Sequence, residues 1–201
     1  MKRFDCLEAL AQLLDPNVIV VTNVGPICRE WNALRPSDAN LLQVNLGLCA
    51  AVGLGIAVSL PHRQVGMLDG DGNLLLHLAS LADLANQNLN NVMHIVLDNE
   101  SYEGGGGLKS ATAGKADLAA IARGAGIANA SIVTTVEEFE TTAKRSLTDR
   151  GHHFIVAKVE KGSVDKLPTL TLDGKEMKYR FARHIESSES VQILRPRYTH
   201  Q

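Results

Sequence analysis

Five short β-rich runs recur along this chain: Val18–Val21, Val65–Leu68, Met93–Leu97, Ile132–Thr135 and Phe154–Val159. Most lack polar alternation. Such strands need cover on both faces, which suits a parallel sheet flanked by helices. Helical patterns lie between them, at Phe4–Leu14, Leu46–Leu60, Leu74–Asn88, Asp117–Ala125 and Val136–Thr148. In the third, Leu74, Leu75, Leu78, Leu81, Ala82 and Ala85 share one face. Strand alternating with helix predicts an α/β fold, a doubly wound and mostly parallel sheet with helices on both faces.

The 201 residues suffice for one substantial domain and are short for two. An apolar content of 45% supports a real core, and only 4% aromatic residues means Ala, Val, Ile and Leu build it. A net charge of −2 gives no reason to expect nucleic acid or a membrane surface as partner. No run reaches the ~18–20 apolar residues of a membrane span, and Met1–Asp5 lacks the apolar region of a signal peptide. Cys6, Cys28 and Cys49 form no Cys-x-x-Cys pair, which fits three free thiols in a reducing cytoplasm. Without a secretion signal, Asn99-Glu100-Ser101 and Asn129-Ala130-Ser131 read as chance glycosylation matches.

Ligands of doubly wound sheets bind at the carboxyl ends of strands. Two polar clusters stand there: Gly70-Asp71-Gly72-Asn73, and Asp98-Asn99, with Asn99 28 positions after Asp71. The glycines let a diphosphate approach the backbone. Magnesium takes six oxygens, usually one or two carboxylates with phosphate oxygens and water. Asp71 offers an anionic oxygen and Asn99 a neutral one. The amides of Gly72 and Asn73, opening the next helix, face a phosphate oxygen in this reading. The competing reading makes Asp71 an N-cap. The four-glycine stretch Gly104–Gly107 is either a connector or a mobile substrate-facing loop.

These two clusters resemble the signature of the thiamine diphosphate-dependent enzymes, a Gly-Asp-Gly followed through helix and strand by Asn-Asn or Asp-Asn. The similar stretch runs from about Val18 to Val159. Its most specific parts are Leu68–Leu75 and Ile95–Tyr102. The resemblance implies thiamine diphosphate and Mg²⁺ as cofactors, with Asp71, Asn99 and the Ser101 carbonyl as metal ligands. It implies that Thr22, Asn23 and Gly25 form a loop touching the diphosphate, beside Gly70, Gly72 and Asn73. It also implies that Leu46 wedges the cofactor into its bent form and that Gly47, next in the chain, is a cofactor-binding residue. The Val44 carbonyl would receive a hydrogen bond from the aminopyrimidine.

Within that family the chain is similar to the β subunit of sulfopyruvate decarboxylase and to the C-terminal half of phosphonopyruvate decarboxylase. The implied function is the diphosphate-binding subunit of a 2-oxo acid decarboxylase acting on a small anionic substrate. The activating glutamate of the family comes from a pyrimidine-binding domain, for which one α/β domain leaves no room. A separate α-type partner subunit, and hence an oligomer, is therefore expected. Another lyase or ligase of the acetolactate synthase-like group, or a non-catalytic cofactor-binding module, remains an alternative. Where relatives carry a Thr-Gly-Gly-Gln-Pro-like sequence, this chain has Gly104-Gly105-Gly106-Gly107-Leu108-Lys109. Residues 1–162 are expected to form the cofactor domain. Residues 163–201 would form an arm with one helix near Glu176–Glu186, suited to docking a partner.

Other signals carry less. Gly107-Leu108-Lys109-Ser110 lacks the Gly-Lys adjacency of a P-loop, and Gly53-Leu54-Gly55 sits in a helix pattern rather than after a strand. His77 and His94 read as satisfied core histidines, with His77 one turn beyond the metal loop. His152-His153 reads as a turn, and Lys109 as a solvated lysine. No Gly-x-Ser-x-Gly elbow points to a serine hydrolase.

Overall fold

The computed structural model describes residues 1–194, and its main sheet has six strands. They are β1 (Ile19–Asn23), β2 (Asn40–Val44), β3 (Val65–Gly70), β4 (Asn91–Asp98) and, after a small hairpin of β5 (Ser101–Tyr102) and β6 (Leu108–Lys109), β7 (Asn129–Val133) and β8 (Gly151–Lys158). All pairings in the main sheet are parallel, in the order β2-β1-β3-β4-β8-β7. The chain steps from β1 outward to β2 and then returns to the other side of β1 as β3. That reversal opens a crevice beyond the carboxyl ends of β1 and β3.

Helices cover both faces, as expected. On one lie α1 (Arg3–Leu13), α2 (Pro26–Leu34) and α7 (Val136–Thr148); on the other lie α3 (Cys49–Ser59), α5 (Ala79–Asn86) and α6 (Leu118–Ala125). Between α3 and α5 comes the five-residue α4 (Asp71–Leu75). Strand residues alternate between the layers. Val20, Leu68, Ile95 and Ile155 meet Trp31 and Phe139, while Val21, Met67, Val96 and Val156 meet Ala50, Leu81 and Ala122. Both sets are apolar because both faces are covered.

Two elements were not expected from the sequence. Helix α2 starts with Pro26 at its first turn and Gly25 as N-cap, the residue types that open helices. Strand β2 is short and partly polar; its Asn40 accepts from Trp31 Nε1 at 3.1 Å and donates to the Arg35 carbonyl at 2.7 Å. The single helix expected over Leu74–Asn88 is two. Leu76 and His77 close i→i−3 bonds to Asn73 and Leu74, and Ser80 Oγ takes the His77 carbonyl at 2.7 Å. His152 and His153 belong to β8 rather than to a turn, because both pair in register with Val92 and Met93 of β4.

The segment beyond β8 folds back on the same chain. Helix α8 (Gly174–Glu189) lies beside edge strand β2, with Met177 in one core layer and Ile185 in the other. Glu189 pairs with Arg63 and His62, and Arg180 with Asp38 at 2.7 Å. Residues 195–201 of the expected arm lie outside the described residues. Among those described, no helix is long and apolar enough to cross a membrane.

Helix α3 contains two glycines with opposite surroundings. A Cβ on buried Gly53 would lie 2.5–2.7 Å from three Met67 side-chain atoms, whereas one on exposed Gly55 meets nothing within 4 Å. Gly55→Ala is expected to stabilise the fold by about 0.5–1 kcal/mol through helix propensity. Gly53→Ala gains the same propensity but overpacks a full layer, which costs about 1–3 kcal/mol. Denaturant midpoints should move in opposite directions for the two variants.

Candidate functional site

Parallel pairing sets β3 and β4 in register from Val65↔Val92 to Gly70↔Leu97. Asp71 leaves β3 one residue beyond that last pair, and Asn99 leaves β4 two residues beyond it. The two loops therefore start side by side. Together with the end of β1 they wall a cavity of about 400 Å³. Nine of the expected residues line it: Asn23 and Gly25 from the first loop, Leu46 from the loop before α3, Gly70 to Asn73, and Asn99 with Ser101. Thr22, Val44 and Gly47 do not. Thr22 is fully buried, and among the described residues its hydroxyl has no hydrogen-bond partner. The Val44 carbonyl already accepts the Val24 amide at 2.9 Å.

Gly47 serves indirectly. Its amide donates to Asn73 Oδ1 at 2.8 Å, while Asn73 Nδ2 donates to the buried Asp69 at 2.5 Å. The Asn73 side chain thus ties the Leu46 loop to the Gly-Asp-Gly turn. Gly47 has φ +76°, and a Cβ there would press within 3.3 Å of Leu76. Glycine meets both demands at once.

Asp71 is not an N-cap. Gly70 holds that position without a side-chain bond, and Asp71 opens the helix itself. Its carboxylate, 2% exposed, accepts from Ser110 Oγ and lies 3.1 Å from Thr112 Oγ1, both at the same oxygen, Oδ2. Burial pushes the Asp71 carboxyl up, and the Asp98 charge adds to that; the Ser110 and Thr112 hydroxyls and the Gly72 amide pull it back. Asp98 in turn accepts from Thr112 at 2.7 Å and from Lys158 at 2.8 Å. Burial draws the Lys158 ammonium down, but its bonds and charge contacts with Asp98 and Glu100 outweigh this and hold it above the usual range.

A second network holds Asn99. Its Nδ2 donates to Glu103 at 3.1 Å and its Oδ1 accepts the Ser101 amide at 3.1 Å. Glu103 also accepts from buried Arg3 at 2.7 Å and from the Gly162 amide at 2.6 Å, and Arg3 reaches Glu30 at 2.7 Å. Arg3 and Glu103 lie on the cavity wall themselves. No spacing in the sequence signals these residues, or Ser110 and Thr112. Arg3, Ser110 and Thr112 reach Glu103 or Asp71 across 39 positions or more, and Glu103, though near Asn99, draws its other partners from residues 3 and 162.

The histidines stay outside. His77 does not line the cavity. His94 is fully buried edge-on to Phe154, with ring centroids 5.0 Å apart, and neither ring nitrogen has a hydrogen-bond partner among the described residues. It is a core histidine but not a satisfied one; Asp69 Oδ2 lies 3.6 Å from its Nε2. Lys109 is exposed on β6, away from the cavity lining. Among the described residues no three His, Cys, Asp or Glu side chains cluster as a metal cage. A cation at Asp71 would therefore share oxygens with a ligand and water, which is how magnesium is usually held.

Residues 33–157 match the family model described as thiamine pyrophosphate enzyme, C-terminal TPP binding domain. The chain belongs to this family. Thiamine pyrophosphate is thiamine diphosphate under its other name. The chain is 30% identical to the β subunit of sulfopyruvate decarboxylase of Methanocaldococcus jannaschii over 194 residues, 93% of this chain and 98% of that protein. It is 31% identical to the phosphonopyruvate decarboxylase of Streptomyces viridochromogenes over 180 residues, covering 89% of this chain but 45% of the other. Among solved structures, benzoylformate decarboxylase from Polynucleobacter necessarius superposes with a TM-score of 0.68 at 21% identity. This chain spans 34% of that one, and the likeness is one of fold.

Within this thiamine diphosphate domain, Gly72 faces the ring of Tyr102. A Cβ there would lie 2.6 and 2.8 Å from two ring carbons. Gly72→Ala is expected to cost about 1–3 kcal/mol by overpacking. In a Tyr102→Ala background the cost should shrink by more than about 0.5 kcal/mol, the coupling of residues in contact. A double-mutant cycle on denaturant unfolding checks this.

Proposed function

We propose that this chain is the diphosphate-binding subunit of a thiamine diphosphate- and Mg²⁺-dependent 2-oxo acid decarboxylase of the sulfopyruvate and phosphonopyruvate type. The observation that carries the reading is the convergence of Asp71, Asn99 and Ser101 on one glycine-walled cavity at the switch point of the sheet.

The cavity chemistry fits the cofactor and its metal. Gly25, Gly70, Gly72 and Gly104 leave backbone within reach of a diphosphate. Among the described residues the buried Asn23 side-chain oxygen has no partner, so this amide is available to a polar guest. Arg3, the cation in the wall, is engaged by Glu30 and Glu103. A diphosphate placed beside the Asp71 carboxylate would therefore meet net negative charge. A divalent cation held by Asp71, Asn99 and the Ser101 carbonyl compensates it.

When bound, thiamine diphosphate supplies the carbon nucleophile and the electron sink for decarboxylation. The chain's part is geometric. Leu46 stands at the cavity mouth, 58% exposed, where it would support the bent cofactor. The Asn73 bond to Gly47 holds that loop in place. Val24 and Leu76, also apolar, line the same cavity and are 39% and 57% exposed. They form a rim suited to cover by a second chain, and the proposal assigns the activating glutamate to that partner. It further includes a hetero-oligomer in the cytoplasm, a reducing setting in keeping with three buried free thiols.

Two substitutions test separate parts of this reading. Asp71→Ala should abolish Mg²⁺-dependent thiamine diphosphate binding in calorimetry; retained binding would sink the metal assignment. Leu46→Ala should weaken binding only slightly but slow C2–H exchange at least tenfold, about 1.4 kcal/mol, in the assembled enzyme. Unchanged exchange would remove Leu46 from the chemistry. The complex with its co-purified partner should release carbon dioxide from sulfopyruvate or phosphonopyruvate, and a silent complex would refute the decarboxylase.

A further inference from the structure

After Asn99 the chain runs out along β5, turns through the four glycines and returns along β6. The return delivers two hydroxyls to the Asp71 carboxylate. Ser110 and Thr112 are each 5% exposed, and the short 3₁₀ turn Ala111–Ala113 sets them on the same side. Their oxygens lie 2.8 Å apart. The turn is fixed by the Ser110 amide, which donates to the Glu100 carbonyl at 3.1 Å.

A count of protons shows what this pair does. Each hydroxyl has one proton to donate. Ser110 gives its proton to Asp71 Oδ2. Thr112 stands 2.7 Å from Asp98 Oδ1 and 3.1 Å from Asp71 Oδ2, so its single proton serves two carboxylates. Lys158 balances the charge from behind, at 2.8 Å from the other Asp98 oxygen. Both hydroxyls thus engage one oxygen of Asp71. Among the described residues, no side chain donates to its Oδ1. Turning the carboxylate out of its plane would forfeit both contacts, so the pair holds it, and Oδ1 with it, in one orientation.

We infer that Ser110 and Thr112 are positioning residues that orient the Asp71 carboxylate, and through it set both the affinity of the site for a divalent cation and its preference for Mg²⁺ over Ca²⁺. This rests on Asp71 being a cation ligand. Mg²⁺ demands near-octahedral geometry with short bonds, while Ca²⁺ accepts six to eight oxygens in irregular arrangements. A carboxylate free to swing still serves Ca²⁺ and serves Mg²⁺ poorly. Outer partners of metal ligands commonly change affinity by about 10–100-fold. A purely structural staple between hairpin and α4 would instead weaken both ions alike.

The test uses the complex as purified from its host, with thiamine diphosphate binding followed by calorimetry while Mg²⁺ or Ca²⁺ is titrated. Thr112→Val keeps the side-chain shape and removes the hydroxyl; Ser110→Ala is an independent second variant. Each should raise the Mg²⁺ requirement about tenfold or more, and the Ca²⁺ requirement less than about threefold. Thr112→Ser should restore the Mg²⁺ value. Equal weakening of both ions, or of neither, overturns the inference. Asp71→Ala measured in parallel separates the two levels. Mg²⁺ dependence surviving there removes the cation site itself, and the inference with it. Its loss there, beside an unchanged Thr112→Val, removes only the positioning role. A complex that shows no cation-dependent binding at all overturns both.

Discussion

The parallel register of β3 with β4 is the constraint on which the site depends. Strand β4 is buried from end to end and β3 up to Asp69, and the two share hydrogen bonds through Gly70↔Leu97. A slip of one residue would send every apolar side chain to the wrong layer. Apolar packing and the backbone ladder together therefore fix where the two loops begin. Asp71 and Asn99 inherit their proximity from Leu68, Val96 and their neighbours.

Fixing the start of a loop does not fix the side chains on it, and here polar bonds take over. Three carboxylates of β3, β4 and their ends, Asp69, Asp71 and Asp98, are almost fully buried. Each is assigned partners that also hold a loop. Asp69 holds Asn73 and, through it, the Leu46 loop. Asp71 and Asp98 share Thr112 from the hairpin return. Buried acids left unpaired would cost several kcal/mol each. That cost makes the loop positions stiff, because any displacement strands a charge. Preorganisation of this kind lets a site bind without spending affinity on ordering itself.

What the sequence made legible divides along the same line. Strands β1, β3, β4 and β8 and helix α7 were readable because their apolar runs or periodicity are unbroken. The Gly-Asp-Gly-Asn and Asp-Asn clusters were readable because their chemistry is local. Strand β2 was not, since Asn40 and Gln43 break its apolar character and its place depends on Trp31. Helix α2 does carry a signal in Gly25-Pro26, the residue types that open helices, although Gly25 also belongs to the expected diphosphate loop. The split of α4 from α5 lies in i→i−3 bonds and in the Ser80 hydroxyl bonded to the His77 carbonyl, which leave no break in the apolar periodicity. Ser110, Thr112, Glu103 and Arg3 were illegible for a common reason. Their roles exist only once distant segments have met.

The Glu103 cluster carries that last point into the life of the chain. One carboxylate joins residue 3, residue 99 and residue 162, so its bonds draw on nearly the whole length of the domain. Closing so long a loop is entropically uphill until the packing between is in place. On a ribosome, a nascent chain that has made β4 and the hairpin still lacks the amide that Glu103 needs. The cavity wall is completed late in synthesis, and a chain cut short before β8 would expose an acidic, half-formed mouth.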